Sequence, residues 1–247
     1  MQNLFRRLWS RLGSRRQLPG AEREFGDVQA WAAARGARFA PARGHAGFVL
    51  EVGALRVEWG ASQRDYIAPA ELRVRAELGD CADLQMMLAT KALITALENE
   101  VFSQATEGNR TRVDDHTPEE MRWLVLYPKL PRADLAELAP HYGALSNYKR
   151  AAAMWLDAPL RTKLLVAALH GAGDGPLVMV VQRNRFVLRR ALAAPSVSAL
   201  EASLALAEAG AASARAVGTQ VARGAVSSDP ASGWDASSAL PPESPPS

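Results

Sequence analysis

The residues best suited to chemistry lie in one short run: Asp114, Asp115, His116, Glu119 and Glu120, with Arg110 and Arg112 just before them. Carboxylates beside an imidazole can hold a metal or share a proton transfer. The same run also reads as the start of a helix. Thr117 fits the N-cap, Pro118 the first helical position and Glu120 the third, which makes a capping box. Acidic side chains at a helix N-terminus favour the dipole by about 0.3–1 kcal/mol each. Arg110 and Arg112 supply counter-charge for Asp114 and Asp115. Helix initiation therefore explains most of the cluster. Asp114, Asp115, His116 and Glu120 remain as the alternative site, and no catalytic, cofactor or metal residue is assigned ahead of them.

The other candidates read more simply as structure. Gly171, Gly173 and Gly175 follow a helical stretch and precede a strand, the reverse of the dinucleotide-binding order. No serine sits in a G-x-S-x-G elbow. His170 falls in the last turn of a helix, where the dipole favours an imidazolium. Cys81 has no histidine near it in sequence and reads as a buried or idle thiol. Tyr142, Tyr148 and Trp155, with Lys149 and Arg150, suggest either a groove for an anion or an ordinary half-buried helix. Arg183, Arg185, Arg189 and Arg190 form the one basic concentration inside the body. They suit a cationic sheet surface for an acidic partner or nucleic acid, or a solvated edge that resists strand addition.

Charge is uneven along the 247 residues. Residues 1–20 carry five arginines and no acid; residues 226–247 carry Asp229, Asp235 and Glu243 and no base. The chain totals +3, so without those five positive and three negative charges residues 21–225 hold +1. A nucleic-acid binder normally wears its positive charge as a face of the folded domain, so the near-neutral body ranks that reading last. The single cysteine excludes an internal disulfide and fits a reducing, cytoplasmic setting.

Residues 1–18 place Leu4, Phe5, Leu8, Trp9 and Leu12 at helical spacing, with Arg6, Arg7 and Arg11 between them. The charges break the continuous apolar centre a secretory signal needs, and the segment is too short to span a bilayer, which takes about 20 apolar residues. It fits an interfacial helix with arginines on anionic headgroups, or an arm that docks on protein.

The elements that must position these groups come from periodicity. Phe25, Val28, Trp31 and Ala32 form a helical stripe ended by Gly36. Alternation at 48–52 and 55–59 around Gly53 gives a hairpin. Leu72, Val74, Ala76 and Leu78 alternate with Arg73, Arg75 and Glu77, a strand with one wet face and hence an antiparallel sheet. LQMMLA, residues 84–89, reads as a strand with Met86 and Met87 as core filler. Residues 91–105 read as a helix, and MRWLVLY, 121–127, as a second helix buried on several sides where the core should be densest. A short helix is expected at 132–139. Asp157 caps a helix through 160–170. PLVMVVQ, Arg183-Asn184 and RFVLRRAL make a second hairpin. Ser198 and Glu201 open an alanine-rich helix to about Arg223 that buries little per turn, a small-residue face that suits either close packing on a partner helix or a weakly docked C-terminal helix. From Val226 on, the Ser/Pro-rich composition predicts disorder.

The expected fold is α+β: a mainly antiparallel sheet packed with helices over residues 21–225, divisible near 106–116, flanked by the basic arm and the tail. The expected function is a non-enzymatic module that binds a protein partner, held at the inner membrane surface by Leu4–Leu12. No cofactor is expected.

Overall fold

The computed structural model describes residues 25–42, 46–79, 81, 84–106, 119–169 and 175–224. The arm, the tail, Asp114, Asp115, His116, Thr117, Pro118 and His170 lie outside the described residues. The fold is α+β, as expected. Its sheet takes the order β1-β2-β3-β4-β8-β7-β5-β6, and every neighbouring pair is antiparallel. The strands are β1 (Arg38–Pro41), β2 (Gly47–Val52), β3 (Leu55–Ala61), β4 (Ala70–Glu77), β5 (Met86–Thr90), β6 (Tyr142–Ser146), β7 (Leu177–Gln182) and β8 (Arg185–Ala191). The helices are α1 (Gly26–Ala34), α2 (Lys91–Thr106), α3 (Glu119–Leu126), α4 (Arg132–Leu135, continued by a 3-10 turn), α5 (Lys149–Trp155), α6 (Ala158–Leu169) and α7 (Val197–Ala222).

Strand alternation divides the sheet into two unlike faces. Phe48, Leu50, Val57, Trp59, Leu72, Val74, Met86, Leu88, Met179, Phe186 and Leu188 all belong to the larger core, with side chains from α1, α5, α6 and α7. Met87, Ala89, Leu145, Val178 and Val180 belong to a smaller core with Leu93, Ile94 and Leu97 of α2 and Met121 and Trp123 of α3. That second cover lies over β5, β6 and β7. On the same face, β3, β4 and β8 present charged side chains instead.

Several local expectations hold. Phe25, Val28, Trp31 and Ala32 are buried, and Gly36 has φ +64° where α1 ends. The Asp157 carboxylate accepts from Leu160 N–H at 3.0 Å, capping α6. Arg183 and Asn184 both have positive φ, the two-residue turn that fits the twist of a hairpin. Met86 and Met87 are fully buried.

Others are overturned. α7 is central rather than weakly docked: it buries Leu200, Leu204, Leu206, Ala207, Gly210, Ala211, Ala214 and Val217. Its small residues bring the helix axis close to the sheet, and close approach replaces side-chain bulk. A Cβ on Gly210 would stand 2.6 Å from Met179 Cε and 2.8 Å from Phe186 Cε2. The N-cap is Ser196, whose hydroxyl accepts from Ala199 N–H, not Ser198. Glu201 instead accepts from Trp31 Nε1 at 2.9 Å and Arg35 Nη2 at 2.5 Å, tying α7 to α1. The segment MRWLVLY is not the densest part of the core: Met121 and Trp123 are buried, but Val125 and Leu126 are each 67% exposed. Residues 141–156 form β6 and α5, not a groove. Tyr142 and Trp155 are buried, and their polar atoms donate to Leu164 O and Gly210 O.

Gly210→Val tests the close packing of α7. Valine is the better helix former, yet overpacking here is expected to destabilise the fold by about 1–3 kcal/mol. Urea denaturation reads this out; an unchanged or raised midpoint would contradict the packing argument.

Candidate functional site

The sheet registers put like charges opposite each other. Arg56 of β3 faces Arg75 of β4, and Arg73 of β4 faces Arg189 of β8. Directly opposed like charges are destabilising in an antiparallel pair. Two carboxylates on the same face lie between them. Glu58 Oε1 accepts from Arg56 Nε at 2.8 Å, and its Oε2 accepts from Arg73 Nη2 at 2.5 Å and Nε at 3.0 Å. Glu71 Oε1 accepts from Arg189 Nη1 at 2.5 Å, while its Oε2 accepts from Gln63 N–H and the Ser62 hydroxyl. The Nη1 of Arg73 is buried with no hydrogen-bond acceptor, 3.9 Å from the Glu71 carboxylate.

Glu71, Arg73, Arg189 and Glu120 are all buried. Burying a charge is costly unless it is paired and hydrogen-bonded, and Glu71 meets the condition at both oxygens. Burial pushes the Glu58 carboxyl up, but the hydrogen bonds from Arg56 and Arg73 and the charges of Arg73 and Arg75 outweigh it and hold Glu58 below its ordinary value. Arg75 stands the other way. Burial lowers its pKa, Glu58 opposes this, and the charges of Arg73, Arg189 and Arg56 lower it further. Its contact to Glu58, at 3.7 Å, is longer than a hydrogen bond, and its side chain is 39% exposed. Arg75 is thus the least compensated cation of this face.

Glu120 is the one member of the expected alternative site among the described residues. Its Oε1 accepts from Arg64 Nε at 3.2 Å, so this oxygen serves an ion pair to the distant β3–β4 connection; Oε2 has no hydrogen-bond partner. The neighbouring Tyr66 hydroxyl is buried. Burial first, then the Glu120 carboxylate, push its pKa up against the pull of Arg64 and Arg189, so the phenol keeps its proton.

The expected basic hairpin is divided by its own alternation. Arg189 joins the network above, whereas Arg190 points to the other face and its Nη1 donates to Ser203 of α7. Arg185 pairs with Glu77 at 3.1 Å. β8 lies between β4 and β7, so it is no solvated edge. Asn184 anchors the turn: its Oδ1 accepts from Cys81 N–H and its carbonyl from Leu78 N–H. Cys81 is buried. The importance of Glu58, Arg64, Tyr66 and Glu71 was not visible in sequence, because it arises from pairing across distant strands. A shallow depression of about 260 Å³, lined by Gly53, Leu55, Glu208, Ala211 and Arg215, lies elsewhere, between the β2–β3 turn and α7.

Two variants test the network. Glu71→Gln removes a buried counter-ion and is expected to cost about 3 kcal/mol, against less than about 1 kcal/mol for Glu51→Gln at a half-exposed pair; chemical denaturation compares them, and equal costs would refute the counter-ion role. Glu58 has a folded pKa below its ordinary 4.5. The stability it contributes is therefore present above that value and lost as pH falls through the folded one. The deficit of Glu58→Gln should be full at about pH 7 and shrink towards about pH 3; a deficit independent of pH would count against it.

Comparison with family models finds no match for this chain. Comparison with curated proteins finds none either. Among solved structures the chain is similar to the crystal structure of the mycobacterial trehalose monomycolate transport factor A, TtfA, at 11% identity and a TM-score of 0.44, covering 78% of this chain and 95% of that one.

Proposed function

We propose that this protein is a binding module for a protein partner, held at an anionic membrane surface on the cytoplasmic side by residues 1–18. The observation that carries the partner half is the exposed side of α3. Val125 and Leu126 are adjacent and each 67% exposed, on a helix whose Met121 and Trp123 are already committed to the core. Fully burying an aliphatic side chain of this size gives about 1.5–3 kcal/mol. A pair of them on a helix anchored by Trp123 makes a rigid place for a partner's apolar side chains. The ionisable groups of the polar sheet face are largely committed to holding strands together, which supports a binding role over a reactive one.

The membrane half rests on the sequence of the arm, with Leu4, Phe5, Leu8, Trp9 and Leu12 alternating with Arg6, Arg7 and Arg11. Each arginine near an anionic surface contributes about 1 kcal/mol. Among the described residues no helix is long and apolar enough to cross a membrane. The arm's own apolar residues are interrupted by arginines and fall short of the about 20 a span needs, which favours interfacial attachment.

Two experiments separate the halves. A pull-down with the whole protein should retain a specific partner that Val125→Asp with Leu126→Asp loses, while stability changes by no more than about 0.5 kcal/mol, as for other surface substitutions. Retention of the same partner by the double variant would remove α3 from the interface. Flotation on phosphatidylserine vesicles should require residues 1–18 and weaken with salt; equal flotation without them would end the membrane assignment.

A further inference from the structure

The charged face formed by β3, β4 and β8 is not neutral. Seven arginines lie on it or at its rim: Arg38, Arg56, Arg64, Arg73, Arg75, Arg185 and Arg189, against Glu51, Glu58, Glu71, Glu77 and Glu120. Arg38–Glu51, Arg64–Glu120 and Arg185–Glu77 cancel as pairs, with Glu51 also 3.9 Å from Arg56. What remains is Arg56, Arg73, Arg75 and Arg189 over Glu58 and Glu71, an excess of two positive charges. The excess is reachable where Arg56 and Arg75 oppose each other, since their side chains are 51% and 39% exposed. Half-buried Val187 of β8 lies directly beside Arg75 in the register.

We infer that this face is the docking site of the chain's own acidic C-terminal segment, residues 225–247, seated over Arg56 and Arg75. Charge selects it over the other terminus: residues 1–20 carry five arginines and would be repelled, whereas residues 225–247 carry Asp229, Asp235 and Glu243 and no base. The path also favours it. Arg215 of α7 donates to the carbonyl of Glu77 at 2.8 Å, so the helix passes the end of β4 two residues from Arg75. The remaining turns to Ala222 carry the chain about 10 Å further, and Gly224, at φ +69°, redirects it. From Gly224 to Asp235 the extended chain spans up to about 36–40 Å, enough to round the sheet end and return to Arg75. Trp234, next to Asp235, supplies a ring for a guanidinium and for Val187. Seated there, the segment neutralises the exposed cations and shields them from other polyanions. The inference concerns a different surface from α3 and does not depend on the partner site proposed there.

The test uses the full chain with Ser238→Cys carrying a nitroxide; Cys81 is buried, so the label goes to position 238. The amide signals of Arg75 and Val187 are expected to broaden strongly. The Val187 signal, and that of Gln at position 75, should be unbroadened when Arg56→Gln and Arg75→Gln are introduced. The Arg75 and Val187 signals should also recover at about 0.5 M salt, where the screening length is on the order of 4 Å. A tail-only variant, Asp229→Asn with Asp235→Asn and Glu243→Gln, leaves the folded body untouched and should recover them equally. Absence of broadening at Arg75 and Val187, broadening that survives the tail-only variant, or broadening that appears only between a labelled copy and a separate isotope-labelled copy would each overturn the inference.

Discussion

Strands β4 and β8 pair in their register although Arg73 and Arg189 face each other across it, because Glu71 lies on the same face and is held there by Arg189, Gln63 and Ser62. That arrangement fixes more than two strands. A slip of one residue would turn either Leu72 and Val74 of β4 or Phe186 and Leu188 of β8 out of the larger core and bring that strand's arginines in. The ion network and the apolar core thus specify the same register from opposite faces. Glu58 does the same for β3 and β4, taking Arg56 and Arg73 at once. Buried ion pairs are weak evidence for stability, but they discriminate strongly against alternatives that leave one partner unpaired.

The other face is organised by a different constraint, the distance of closest approach. α7 lies over β4 and β8 and also meets α1, α5 and α6. Small residues at Ala207, Gly210, Ala211 and Ala214 let it approach until Phe186 and Met179 touch its backbone side. Polar links then tie it laterally: Trp155 Nε1 donates to Gly210 O, the Ser213 hydroxyl to Trp155 O, and Trp31 Nε1 to Glu201. Three of these atoms would be costly to leave buried without partners, so the links specify where each helix sits.

Local signals were legible where one residue's environment decides the outcome. The alternation of β2, β3, β4 and β8, the apolar run of β7, the Arg183-Asn184 turn, the Asp157 cap and the stripe of α1 all follow from near neighbours in sequence. What the sequence hid is set by distant partners. Nothing local says that β4 pairs with β8, more than a hundred residues later, so the arginines of RFVLRRAL looked like a solvated edge when the strand is interior. The alanine-rich face of α7 looked weak because its stabilisation comes from proximity rather than from the size of its own side chains. MRWLVLY looked like the densest core because composition cannot say which sides of a helix are covered. The bond of Glu120 to Arg64 required knowing that the β3–β4 connection meets α3.

The contrast between the two halves of the second face follows from the same chain order. α2 and α3 enter between β5 and β6, so they cover those strands and β7 with apolar side chains. No described helix connects β2, β3 and β4, so that half of the face keeps charges, and charges next to water can remain partly exposed. An apolar surface left uncovered there would invite non-specific association, whereas paired charges keep the strands soluble and still leave a net field. Four arginines over two glutamates set its sign. Because Arg73 and Arg189 are buried, the field emerges at Arg56 and Arg75, and a ligand that meets this face meets those two guanidiniums first.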